Sequence, residues 1–457
     1  MQRNHHHTRA CAVWRAALSS LIATAIPCAE ADAQAVWYVD MTAAANGTGT
    51  SWGSAFDTLQ QAIDAAQAGD EIWVAAGVYC PAVPSAPADP RSASFVLPHD
   101  VAIYGGFAGH EQSVATRAGL FDVTILCGDI GVAGDRTDNC YHVVTLNGTT
   151  QYVAATLDGF TVRDGYGLGG ALSPSRGAGI TVRLAGGTHT PTLFVRNCTI
   201  RDNVADIGGG IAVTNLGAVQ IAESTLTRNS AVERGGAVFV QTAFFQSVNT
   251  SWSNNHAGNR GGGLYVNSTS NAMVRLANDV LWANQANEGG GIYVAGGQFT
   301  NGTVSAYNCT FGFNSAGSGV SIFADTAAAT QARLNLHNSV LWHDPQSGPA
   351  TLVGSGATMN VTHSCVLGGF AGLGNIASDP LFLDGPGGNL RLRSSSPCND
   401  SGDNGRLPPD YGDVDGDGDF VETLPLDKDR GRRLTDDPVA PNTGVGVPPV
   451  DMGAYEY

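Results

Sequence analysis

The stretch Cys198–Val213, CTIRDNVADIGGGIAV, decides the fold because the chain writes it repeatedly. Ser224–Val240 reads STLTRNSAVERGGAVFV, Thr250–Val266 TSWSNNHAGNRGGGLYV, Asp279–Val294 DVLWANQANEGGGIYV and Cys309–Phe323 CTFGFNSAGSGVSIF. Aligned on the apolar residue three places before the recurrent Asn, the repeats and their flanks give the series Val162, Ile200, Leu226, Trp252, Leu281, Phe311, Leu341 and Val366. Self-similarity at 25 to 38 residues is the signature of a solenoid.

Around each anchor the apolar period is two, which selects strands over helices. Before the anchors stand Leu193 and Val195, Val219 and Ile221, Val274 and Leu276, Leu334 and Leu336, Met359 and Val361. After the glycines come Ile180 and Val182, Ile211 and Val213, Val238 and Val240, Leu264 and Val266, Ile292 and Val294, Val320 and Ile322. Each repeat therefore holds about three short strands. Such coils cannot bury an inner face alone, but stacked in register about 4.8 Å apart they share one apolar column. The expected fold is all-β, a parallel β-helix. In it Asn203, Asn229, Asn255, Asn284 and Asn314 occupy a corner that needs a left-handed or bridging backbone, their amides bonding from coil to coil. The glycines at 208–210, 235–236, 261–263 and 289–291 serve the next corner, where a Cβ would collide.

The chain has 457 residues, 60 of them Gly, 14% charged, with a net charge of −17 and one lysine, Lys428. An acidic chain is a poor partner for a phosphate backbone, so no nucleic acid is expected. Residues 1–35 read as a secretory signal peptide: Arg3, Arg9 and Arg15, an apolar run over 16–26, then small residues in AEADAQA. A lipid-anchored Cys28 is the alternative, with Pro27 a poor fit before it. No later apolar run is long enough to span a bilayer, which points to a secreted, extracellular or cell-surface protein. Removing Cys11 and Cys28 leaves seven cysteines, an odd number, with Cys127–Cys140 and Cys365–Cys398 the preferred pairs from their closeness in sequence.

Residues 36–72 are expected to cap the first coil, using an amphipathic helix over Asp57–Gln67 that starts at an Asp cap and buries Leu59, Ala62, Ile63 and Ala66. The helix of coils then spans 73–370. Over 371–457 the character turns to Pro, Gly and Asp, a segment expected to close or trail from the far end.

The alternation GGGI at 208 and 289 with FGFN at 311 and LWAN at 281 resembles the polymorphic outer membrane protein repeats of the pectin lyase-like, right-handed parallel β-helix superfamily. VWYVD, SWGSAFDTLQQAIDAAQAGDEIWVAAGVY, NIASDPLF, SPCNDSGD and VDMGAYEY resemble choice-of-anchor Q domain proteins. The resemblance implies a right-handed helix, in keeping with the hand of parallel crossovers. It supplies no catalytic residues, and no set of translocator-barrel strands is present.

Candidate chemistry lies between the two corners. Glu233, Arg234, His256, Arg260 and Glu288 fall there, and stacking predicts that Arg234, Arg260 and Glu288 form a ladder, able to present acid, base and guanidinium to one sugar. The alternative is a row of solvated corner charges. The insertion Asp164–Arg176 offers Tyr166 and Arg176 as ligand contacts. Trp282 and Trp342 follow the anchors and should face outward, as sugar-stacking candidates, whereas Trp252 is itself an inward anchor. DVDGDGD places Asp413, Asp415, Asp417 and Asp419 at alternate positions with glycines between, a pattern suited to a structural calcium; no other cofactor is expected. The function expected from these features is non-catalytic, adhesin-like binding of a polysaccharide or cell-surface glycan along the long face. A polysaccharide lyase or glycoside hydrolase on the same scaffold and a structural surface component stay open, and the oligomeric state is not indicated.

Overall fold

The computed structural model describes residues 34–117, 123–148, 153–169, 175–268, 272–296, 303–325, 332–343 and 351–457. Residues 1–33, which hold most of the expected signal peptide, and residues 170–174 of the insertion lie outside them.

Three long parallel sheets run the length of the molecule. The first has eleven strands, from Val36–Val39 to Thr358–Thr362; the second ten, from Gly77–Tyr79 to Cys365–Val366; the third nine, from Phe95–Val96 to Leu352–Ser355. One coil gives a strand to each, as Pro191–Arg196, Thr199–Arg201 and Ile211–Thr214 do. Between the second and third sheets three coils add a small sheet, Val204–Ile207, Ser230–Arg234 and His256–Ala257. This is a right-handed parallel β-helix.

The eight anchors are in register along the second sheet, each opposite the next from Val162 to Val366. All are buried, and with the period-two residues of the other sheets they form one continuous core. Each fully buried Leu, Ile or Phe contributes about 1.5–3 kcal/mol, so the column is the main source of stability. One inward pair differs from the sequence reading. Ile292 and Val294 lie opposite Ile322 and Ala324, while Val320 and Ser321 take the places of corner glycines.

At the asparagine corner the two roles assigned to Asn are divided between neighbours. The amides do bond from coil to coil: Asn203 Nδ2 donates to Asn229 Oδ1 at 3.0 Å, Asn229 to Asn255 at 3.1 Å, Asn255 to Asn284 at 2.9 Å and Asn284 to Asn314 at 3.0 Å. The left-handed backbone belongs instead to the residue before each one, Asp202, Arg228, Asn254, Ala283 and Phe313. That residue turns the chain so that the amide points inward to its stack. At the glycine corner the reading holds: a Cβ on Gly236 would lie 2.3 Å from the Gly262 carbonyl oxygen.

The helix Leu59–Ala65 packs against the first strands, Val36–Val39 and Glu71–Ala75, burying Leu59, Ala62 and Ile63. It is capped by Thr58 rather than Asp57, because Thr58 and Gln61 exchange the reciprocal bonds of a capping box. The preferred pair Cys127–Cys140 is unbridged, and Cys127 has a second thiol neighbour besides Cys140, whose N–H donates to the Gly128 carbonyl at 2.9 Å. Tyr79 lies opposite Leu126, so the next residues, Cys80 and Cys127, occupy adjacent coils and their thiols interact. Cys365 and Cys398 do come together, and all seven described cysteines are unbridged.

The start of the C-terminal segment covers the last coil, where Asn375 Nδ2 donates to the Val361 carbonyl at 2.9 Å. The remainder doubles back along the flank between the first and second sheets. There a second row, Asn249, Asn278, Asn308 and Asn338, has left-handed backbone and buried amides. Their Nδ2 groups donate to the carbonyls of Asp427, Leu426, Asp451 and Asp403 in turn. Arg433, fully buried, donates to Asn278 Oδ1 at 2.6 Å and to the Ala454 carbonyl at 2.7 Å. Among the described residues no helix is long and apolar enough to cross a membrane.

Candidate functional site

One residue from each of six successive coils lines up beside the third sheet: Arg176, Ile207, Arg234, Arg260, Glu288 and Ser318. Arg234, Arg260 and Glu288 are thus neighbours in register, one coil apart. Arg260 Nε donates to Glu288 Oε2 at 2.8 Å, and both side chains stay about one-third exposed, 35% and 33%. Arg234 is equally exposed, and the Glu233 carboxylate is 3.8 Å from its Nε, beyond a hydrogen bond. His256 falls in a different row of the small sheet, with Ser230 and Gln285.

Beneath the arginines lies a feature the sequence reading missed. Phe239, Tyr265, Tyr293 and Phe323 occupy one outward position of the third sheet, and their rings stack at 5.6, 5.3 and 5.2 Å with interplanar angles of 8°, 5° and 1°. The signal was present: each follows the first apolar residue after the glycine corner. In-register strands force such stacking, and the offset of the rings satisfies their quadrupoles. The guanidinium of Arg176 lies over Phe239 at 5.6 Å, that of Arg234 over Tyr265 at 5.5 Å and that of Arg260 over Tyr293 at 4.8 Å. Each contact is worth about 0.5–2 kcal/mol and fixes a long side chain that would otherwise be mobile. Burial pushes the Tyr265 and Tyr293 hydroxyls up, and Tyr293 donates to Asp325 Oδ2 at 3.0 Å.

The other candidates are more constrained. Arg176 donates from Nη1 to Gln241 Oε1 at 2.9 Å, at the head of the arginine row. Tyr166 is half-buried; Arg91 Nη2 donates to its carbonyl at 2.5 Å and the Arg91 guanidinium faces its ring at 5.7 Å. Trp282 and Trp342 point outward from the coils, but the C-terminal segment covers them, because large apolar rings on an outer face favour a lid. Trp282 Nε1 donates to the Gly385 carbonyl at 3.1 Å, and Trp342 packs among Cys365, Leu392, Cys398 and Met452.

In the acidic turn, carboxylate oxygens of Asp413, Asp415 and Asp417 lie within 4.8 Å of one another, and so do those of Asp410, Asp415 and Glu422. Asp419 is turned away, its Oδ1 accepting the N–H groups of Val421 and Glu422. Asp410, a member the alternating motif did not show, is fully buried. Burial, opposed by the N–H groups of Val414 and Gly412 and reinforced by Asp415 and Asp413, pushes its carboxyl up to about 6. Crowded oxygen ligands on a glycine-bearing turn suit a hard cation.

Fold and flank together define a parallel β-helix with an ordered polar row along one edge. Searched against protein-family models the chain matches none, and no curated protein matches it, so the family motifs in the sequence stand as resemblance. Among solved structures it is similar to pectate lyase Pel9A, with 12% identity, a TM-score of 0.48, and 93% of this chain and 97% of that one covered. It is also similar to XylC, solved in complex with xylose, at 10% identity, TM-score 0.38 and coverages of 92% and 98%, and to a rhamnogalacturonan lyase at 11%, 0.32, 77% and 91%. At these scores none is a basis for assigning activity, and the fold is read from the strand registers themselves.

Proposed function

We propose that the protein is an exported, non-catalytic β-helix that binds an extended polysaccharide, free or on a cell surface, along the row Arg176, Arg234, Arg260 and Glu288. One observation supports this reading above others: Arg234 and Arg260, one coil apart and each about one-third exposed, and Arg176, two coils before Arg234 with Ile207 between, are held over a stacked aromatic ladder. Polar groups spaced by whole coils of ~4.8 Å are suited to a polymer that also repeats, and their prior ordering lowers the entropy cost of binding. Export rests on the leader in residues 1–35. The acidic turn is proposed to hold a structural calcium through Asp410, Asp413, Asp415, Asp417 and Glu422, outside the binding row.

The test is to incubate the purified protein with a panel of neutral and acidic polysaccharides, measuring binding by affinity electrophoresis and the ultraviolet absorbance of unsaturated products. Retardation without product formation is expected. Product that disappears in Arg234→Ala or Arg260→Ala would make the row a lyase site instead.

A further inference from the structure

A second hollow lies elsewhere, on the outer side of the first sheet, where residues 405–411 of the C-terminal segment stand over the strands Met273–Ala277, Thr303–Tyr307 and Arg333–His337. It has a volume of about 250 Å³, and its walls carry Arg275, Tyr307, His337, Arg406 and Tyr411. None of the residues lining it is acidic, in a chain whose net charge is −17. Two guanidiniums face the hollow, that of Arg406 with Asp403 3.7 Å away outside the lining and that of Arg275 with no carboxylate partner among the described residues, so the local field runs against that of the whole molecule and a concave low-dielectric wall concentrates it.

Both guanidiniums have donors to spare. Among the described residues Arg275 has no carboxylate partner; it rests between aromatic faces, 5.1 Å from the centre of Tyr411 and 6.0 Å from that of Phe244. Arg406 is 48% exposed, with Asp403 at 3.7 Å, too far for a hydrogen bond. His337 is buried against Tyr307, its Nδ1 2.7 Å from Thr362 Oγ1, and burial pushes its pKa down to about 4, so the imidazole is neutral at pH 7. The positive charge is thus the arginines' own. Guanidinium forks match carboxylates in shape, tyrosine faces receive the C–H faces of a ring, and neutral polar edges suit hydroxyls. The volume, below the range of about 300–1,000 Å³ for drug-sized pockets, fits one ring.

We propose that this cleft binds a single carboxylated sugar ring, its carboxylate between Arg275 and Arg406 and its ring against Tyr411. The inference is independent of the polysaccharide row on the other side of the coil. It is tested by calorimetric titration of the full chain with sodium glucuronate, glucose and sodium sulfate. Glucuronate is expected to bind, with glucose and sulfate each weaker by about tenfold or more; Arg275→Ala and the exposed Arg406→Ala each weaken glucuronate by about tenfold, and Arg260→Ala leaves it unchanged. No binding of glucuronate, equal binding of glucose, or full affinity in a folded Arg406→Ala variant overturns the proposal. Sulfate bound as tightly as glucuronate overturns the sugar assignment, and loss in Arg260→Ala overturns the placement.

Discussion

Arg260 lies 4.8 Å above the centre of the Tyr293 ring, one coil further along, and this contact joins the two ordered rows of the flank. Tyr293 stacks on Tyr265 and on Phe323, so the orientation of each guanidinium depends on rings from several coils.

Removing the ring and removing only its hydroxyl should therefore differ. Tyr293→Phe loses the bond to Asp325, costs about 0.5–1.5 kcal/mol in urea denaturation and leaves polysaccharide binding intact. Tyr293→Ala costs about 3–5 kcal/mol and also weakens binding, since Arg260 loses its platform.

The amide stack makes a sharper prediction about stability. Asn255 Oδ1 accepts both the backbone N–H and the side-chain amide of Asn229, and Asn255 itself is fully buried. Asn255→Ala leaves those donors unpaired, with an expected loss of about 2–4 kcal/mol, whereas Asn254→Gly, at the left-handed position beside it, costs little. Urea midpoints of the two variants decide whether amide and turn are separable, as the structure has them.

The acidic turn predicts stabilisation by metal. Calcium at 100 times its dissociation constant should raise stability by about 2.7 kcal/mol, and chelation should reverse it. Asp415→Asn, which alters the residue common to both carboxylate groups, should abolish the effect; Asp419→Asn should reduce it far less.

Burial pushes the Glu456 carboxyl up to about 9, against the pull of Arg433. The folded state then keeps a proton that the unfolded state releases near pH 4.5, so this group's contribution is complete below that pH and is lost as pH rises through 9. Glu456→Gln cannot titrate. Thermal midpoints should show the wild type losing roughly 1–3 kcal/mol relative to Glu456→Gln between pH 7 and pH 9, by which His337, with its pKa near 4, no longer contributes a slope.

Oxidation tests the revised pairing of thiols. Incubation with oxidised glutathione followed by peptide mapping should recover Cys80 linked to Cys127 and Cys365 linked to Cys398, with Cys140 unlinked. A Cys127–Cys140 peptide would overturn the choice of Cys80 over Cys140, whose N–H donates to the Gly128 carbonyl at 2.9 Å, as the partner of Cys127.

What was legible in the sequence was what a one-dimensional pattern records. The period of two and the spacing of the anchors from Val162 to Val366 specify which residues face inward and which lie one coil apart, and the row of Arg234, Arg260 and Glu288 follows from the same arithmetic. Roles split between adjacent residues were harder to read: Asn254 turns the backbone while Asn255 stacks, and both are asparagines. Trp282 and Trp342 face outward as their spacing required, but whether an outward ring meets solvent depends on residues a hundred or more positions away, or about fifty for Trp342. The docking row of Asn249, Asn278, Asn308 and Asn338, each three places before its anchor, was visible as a repeat; its partners in the C-terminal segment follow no repeat and gave no sign of it.

The most direct test of the binding account is the dissociation constant for a polysaccharide retained by the wild type, compared with that of the double variant Arg234→Ala/Arg260→Ala at matched thermal stability. The arrangement of the arginine row predicts a weakening of about tenfold or more in the double variant. Unchanged affinity in a folded double variant would contradict it and place the binding surface elsewhere.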